Sequence, residues 1–403
     1  MLERTDLLIV GCGPAGATAA REAARDNIET LVIERDAAVG QKRVCAAGLR
    51  PGFCQTFDLP RSIVHCDTPR LALFDAGALE HEINFGPGHT STREELDGTM
   101  ASLAAHEGAV IRTHSLFRTL RRAGSRTLVE YADLSAGVRR SIAARWVFLA
   151  NGATARFEDA PYGELAMHDW RNGLMTTLQY RIYLDRPARA VAYRTLELHY
   201  YRASDGRQII GWMFPKRDHL AIGLGVMGKI DRLQLDAELD TFVQRVGARL
   251  YPDATVQAMK REGSLLYGGV PRPRFADGDV LVGGTAAGLV DATNGEGIFE
   301  AAMSGRFAAN AVVRAKTKGE HAGARYGWLV NERFSRRLLH RVLLMRYLEA
   351  RPRRYRLLFQ QLARSPRLAE VLLSDGNERT MSDRLYLCLQ ALRFGVRTVA
   401  CHG

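Results

Sequence analysis

The chain has 403 residues, 46% of them hydrophobic and 25% charged, with a net charge of +12. This composition excludes a disordered or fibrous chain, and the length calls for two or three lobes rather than one simple core. No apolar run of about 18 residues is present, which excludes a membrane-spanning helix.

The six cysteines (Cys12, Cys45, Cys54, Cys66, Cys388, Cys401) form no CxxC pair, which argues for reduced thiols in a cytosol. The eleven histidines fall in no ligand spacing, so no metal is expected. The first strand begins at about Asp6 and leaves no room for a signal peptide.

Asp6–Val10 reads as a strand that runs into Gly11-Cys12-Gly13-Pro14-Ala15-Gly16. A helix follows over 17–26, then an apolar run, Thr30–Ile33, ending in Glu34. This is the order a dinucleotide site requires. Gly11 permits the tight turn, Gly13 lets the backbone approach a pyrophosphate, and Gly16 lets helix and strand pack closely. The helix start offers free N–H groups and a positive dipole end to phosphates. Pro14 and Ala15 open that helix, Glu34 is placed to accept ribose hydroxyls, and Arg35 follows it.

Residues 41–52 form a loop holding Arg43, Cys45 and Ala46. Ser91–Asp97 opens a helix with a Ser/Thr cap and acids in its first turn, running to about His106. Strands are expected near 109–113 and 127–131, and a buried parallel strand at 144–150 ending in Asn151. Four alternating runs then predict an antiparallel sheet: Leu178–Leu184, Leu196–Tyr201, Gln208–Phe214 and His219–Gly225. A helix over 234–247 follows. A further strand, 278–284, leads to Thr285, Gly288, Gly295, Glu296, Gly297 and Ile298, where a helix to about Lys316 starts. The fold class is therefore α/β, in part α+β. A Rossmann-like domain (1–165 and 271–320) is interrupted by an antiparallel-sheet substrate domain (166–270) and followed by a helical, basic region (321–403).

From Asn331 to Glu370 there are eleven arginines, no lysine and three glutamates, interleaved with leucines and aromatics. Both a solvated helical cap and a surface for anionic lipid head groups fit this pattern. Nucleic acid is set aside, because no recognition motif accompanies the charge.

Five segments carry a resemblance: the first resembles the FAD-binding start of glutathione-reductase-like flavoproteins, and the other four resemble the geranylgeranyl reductase family. In order they are residues 9–34, the loop Arg43–Leu49, Arg93 to Asp97, Trp212-Met213-Phe214-Pro215, and Gly284–Gly288 with Gly295–Ile298 and Ser304–Arg306. The resemblance implies a fold like p-hydroxybenzoate hydroxylase, bound FAD, and reduction of C=C bonds in prenyl chains carried on lipids, quinones, diphosphates or chlorophyll precursors. It implies cofactor contacts from Arg43, Cys45, Ala46, Arg93, Thr285, Gly288 and Gly295–Ile298. Cys45 is the candidate proton donor, and Trp212 and Phe214 the apolar slot beside the flavin. The small-thiol and sheet-core readings of these three stay open. No second GxGxxG follows a strand, so NADPH or a ferredoxin-type carrier would visit as external electron donor. The chain departs from the family pattern at Thr285 (usually Asp), Ile210 and Asn151. Alternative readings are a flavin monooxygenase or halogenase of the same fold, and a non-catalytic flavin- or lipid-binding protein. The expected location is the cytoplasm, with the inner membrane face as an option for the basic region.

Overall fold

The computed structural model describes residues 2–41, 44–155, 160–186, 192–228, 230–252, 256–351, 353–365 and scattered positions from 367 to 391. Arg43, Cys388, Cys401 and His402 lie outside the described residues.

In chain order the elements begin with β1 (Glu3–Val10), α1 (Pro14–Arg25), β2 (Thr30–Ile33), β3 (Gly48–Leu49), β4 (Cys66–Asp75), β5 (Ala78–Thr90) and α2 (Arg93–His106). Next come β6 (Val110–Arg112), β7 (Ser115–Ala123), β8 (Arg126–Asp133), β9 (Val138–Leu149) and β10 (Leu174–Leu184). They are followed by β11 (Thr195–Arg202), β12 (Gln208–Pro215), β13 (Leu220–Met227), α3 (Arg232–Leu250) and β14 (Val256–Tyr267). The last are β15 (Ala276–Asp277), β16 (Val280–Val282), α4 (Ile298–Lys318), α5 (Ala322–Val330), α6 (Arg336–Glu349) and α7 (Arg353–Arg364).

The first sheet runs β15-β16-β9-β1-β2-β6, with β7 and β8 joined to β9 as an antiparallel meander. β1 lies between β2 and β9, parallel to both, and Leu7–Val10 are fully buried. Both faces of such a strand are covered, which is why it reads as an unbroken apolar run. α1 and α4 pack closely: a Cβ at Gly305 of α4 would fall 2.1 Å from Ala15 O. Thr92 caps α2, its side chain accepting from Glu95 N at 3.3 Å.

The second sheet runs β14-β10-β13-β12-β11-β4-β5-β3. It is larger than the four runs read from the sequence. β3, β4 and β5 come from residues 48–90, well before the 166–270 span, and β14 adds an outer strand. One pairing, β11 with β4, is parallel. β3–β5 join the runs read from the sequence only through the β4–β11 pairing, more than 100 residues apart, and register across such a gap leaves no local signal. On one face of the sheet Ile209, Met213, Ile222 and Leu224 pack against Leu239, Phe242 and Val246 of α3. On the other, Leu71, Leu198, Tyr200 and Ile210 meet Val342, Met345, Tyr355 and Phe359 of α6 and α7. The apolar stripe of the arginine-rich region is thus largely buried against this sheet.

Candidate active site

The first cavity, about 590 Å³, opens where β1 turns into α1. Gly11 has φ +94, and a Cβ there would lie 2.6 Å from Ala150 O; at Gly16 it would meet Gly11 O at 1.9 Å. Packing therefore demands both glycines. Gly13 differs. A Cβ there would find only Arg93 Nη2 at 3.5 Å and Asp97 Oδ2 at 3.9 Å, so protein contacts leave that space open. The helix start faces the same cavity, and its first N–H groups have no intrahelical partner. Glu34 ends β2, its Oε2 accepting from Cys12 N at 2.8 Å and its Oε1 from Asp36 N at 3.1 Å. Asn151 adds a buried Oδ1 that has no hydrogen-bond partner among the described residues and lines the cavity. An open glycine at a helix start, a carboxylate at the end of β2 and an orphan acceptor together fit a dinucleotide.

Arg93 crosses this cavity as a buried cation. Its Nε and Nη2 donate to Asp97 Oδ1 and Oδ2 at 2.8 and 2.5 Å, a bidentate pair one helical turn apart. Burial opposes its charge, but Asp97 and the sulfur of Cys45, also hydrogen-bonded to it, hold the guanidinium firmly protonated.

The second cavity, about 740 Å³, lies against the second sheet. Ile210, Trp212 and Phe214 of β12 face it by the two-residue period, with Leu71, Leu198 and Met175 beside them. Trp212 Nε1 donates to Gln179 Oε1 at 3.0 Å, which holds the indole in place. Cys45, Leu265, Leu266, Gly295, Gly297 and Ile298 line both cavities. These are the residues that would face a cofactor on one side and a substrate on the other.

An ion network closes the far wall. Arg50 Nε donates to Glu296 Oε1 at 2.6 Å and its Nη2 to Glu300 Oε1 at 2.8 Å, while Arg337 Nη2 reaches Glu300 Oε1 at 2.6 Å. Arg341 Nε lies 3.2 Å from Asp291 Oδ2. Burial, and Glu296 beside it, push the Glu300 carboxyl up against the pull of the two arginines. Two arginines of the basic region are thus turned inward rather than presented to solvent.

The crystal structure of a geranylgeranyl bacteriochlorophyll reductase-like protein from Thermoplasma acidophilum has the same fold, with TM-score 0.77 and 21% identity over 96% of each chain. No family model matches the chain. The chloroplastic geranylgeranyl diphosphate reductase of Nicotiana tabacum is 27% identical over 331 residues, 77% of this chain and 67% of that protein. Digeranylgeranylglycerophospholipid reductase of Thermoplasma acidophilum is 28% identical over 357 residues, 84% of this chain and 86% of that one. In sequence and in fold the chain is similar to the geranylgeranyl reductases. Both relatives are named reductases, and the chain is an FAD-dependent oxidoreductase of their type.

Within this reductase, Gly11, Gly13, Pro14, Ala15, Glu34, Arg35, Cys45, Arg93, Thr285, Gly295, Gly297 and Ile298 line the first cavity. Four residues expected there do not. Gly16 is consumed by its contact with Gly11 O. Gly288, at φ +73, ends the turn after Thr285 and packs on Tyr267. Ala46 lines only the second cavity. So does Glu296, drawn over by Arg50; its N–H is taken by Asn294 Oδ1 at 2.8 Å. Sequence reasoning missed the Ser115–Arg118 segment of β7 and Ser264–Leu266 of β14, which carry no local motif. It also missed Lys216. A lysine directly after Trp212-Met213-Phe214-Pro215 was visible in the chain, but its burial was not.

Proposed function

We propose that this protein reduces C=C bonds of a prenyl chain with FAD as its resident cofactor. The observation that carries the reading is the apolar second cavity, joined to the dinucleotide cavity through Cys45, Gly295, Gly297 and Ile298. Bound FAD supplies the hydride. The start of α1 and Gly13 would hold the diphosphate, and Glu34 the ribose. Main-chain N–H groups at Gly297 and Ile298, where α4 begins, would favour negative charge beside the ring. Leu71, Leu198, Ile210, Trp212 and Phe214 orient the chain to be reduced and exclude water. Cys45 holds the proton that completes the reduction. NADPH or a ferredoxin-type carrier would serve as external donor.

The same reading makes an anionic lipid surface the partner of the basic region. Trp328, Leu339 and Leu343 are exposed, at 59%, 38% and 51%, with Arg336 and Arg346 exposed beside the two leucines on α6. Arg333, just before α6, lines the second cavity, so that face adjoins the entry a lipid-borne substrate would use. No helix among the described residues is long and apolar enough to cross a membrane.

Anaerobic photoreduction of the purified protein followed by geranylgeranyl compounds tests the reaction. Reoxidation by the prenyl compound without oxygen is expected. Oxygen-dependent hydroxylation or halogenation would replace this reading with the monooxygenase one. A protein that retains no flavin would point to a non-catalytic role.

A further inference from the structure

Lys216 immediately follows β12 and is 1% exposed. An ammonium group is costly to bury, so its surroundings must offset that cost. Its Nζ donates to the carbonyl of Ala46, the residue after Cys45. The groups that face it come from several elements. They are Cys45 on the 44–47 loop, Cys66 at the start of β4, Glu94 on α2, Arg181 on β10, and His65 and His219 ahead of β4 and β13. Burial draws Lys216 down to about 7, opposed by the two sulfurs and Glu94 and reinforced by Arg181. Arg93 holds the sulfur of Cys45 as well. Cys45 therefore interacts with one permanent cation and one that exchanges its proton near neutrality, where the two cavities meet.

We infer that Lys216 is a positioning residue for Cys45, anchoring its loop through Ala46 and setting the charge of the sulfur. This rests on the reaction proposed above. The alkene gains a hydride, with its electron pair, from the reduced flavin and a proton from Cys45. The Cys45 S–H bond breaks, a C–H bond forms, and the electron pair stays on sulfur as a thiolate held by Arg93 and Lys216. The S–H bond then re-forms with a proton taken up from water.

The test is alkylation of Cys45 by iodoacetamide in the purified protein across roughly pH 5–10, read by peptide mass spectrometry. Cys12, Cys54 and Cys66 are buried and serve as slow internal references. Lys216→Met should slow alkylation at neutral pH about ten-fold, the effect of one pKa unit. Lys216→Arg should restore the rate and abolish the inflection near neutrality seen in the unmodified protein. An unchanged profile in Lys216→Met, or equal slowing in both variants, overturns the inference. Should Lys216→Met not fold, Lys216→Arg decides alone: a neutral inflection shared with the unmodified protein overturns it. No prenyl compound enters this readout, so it fails or stands independently of the substrate.

Discussion

The two cavities share a wall but are made of different material. The first is shaped mainly by main chain: the Gly11–Gly16 turn, the start of α1, the Gly295–Gly297 turn. The second is shaped by side chains from β4, β10, β11, β12 and β14 together with the loop after residue 44. A main-chain site needs particular glycines at fixed spacing, because each removes a specific clash. A side-chain site needs only volume and polarity, which many sequences supply. The first region should therefore be brittle to single changes and the second graded.

The sharpest way to break this contrast is the glycine pair. Gly16→Val would force a side chain into Gly11 O and should cost about 3 kcal/mol or more in chemical denaturation. Gly13→Val should leave stability within about 1 kcal/mol and abolish the bound flavin's visible absorbance. Retained flavin in Gly13→Val would mean the diphosphate is held elsewhere.

Acid should act on the second region. His219 is buried beside Lys216, and burial lowers it to about 4, against the pull of Asp218. Between 6.5 and about 4 the unfolded chain takes up a proton that the folded one refuses, so stability falls as pH falls through that window. The loss should be on the order of 2–3 kcal/mol in urea midpoints. His219→Gln should flatten it, and an unaltered slope would remove His219 as the cause.

Smaller effects sharpen the comparison further. Cys45→Ala should keep flavin and slow prenyl reduction about 100-fold in single-turnover assays; an unchanged rate would reduce the thiol to packing. Trp212→Ala should keep flavin and weaken prenyl turnover about ten-fold, roughly what lost apolar contact is worth. Leu343→Glu should leave turnover of a soluble substrate unchanged and reduce flotation with anionic vesicles about three-fold; equal flotation would free α6 from the lipid reading.

Much of the first region was legible in the chain. Asp6 to Glu34 carried strand, turn, helix and acid within 30 residues, each fixed by local sterics and hydrogen bonding. The second region was legible only in part. Trp212 and Phe214 could be placed on one face by strand period, yet their neighbours Leu71 and Leu198 come from segments more than 120 residues apart. Arg43 lies outside the described residues, and the contacts that Glu296, Ala46 and Gly288 make with Arg50, Lys216 and Tyr267 follow from no local pattern.

The sequence by itself determined the tight turn between β1 and α1, because glycine spacing acts through the backbone over a single turn. It also determined that an apolar sheet lies beyond. Only the tertiary structure decided that β3–β5 complete that sheet, that Arg337 and Arg341 turn inward to Glu300 and Asp291, and that Lys216 is buried against the Ala46 carbonyl. Burial and the charges that offset it depend on chain segments far apart in sequence, and no local pattern records them.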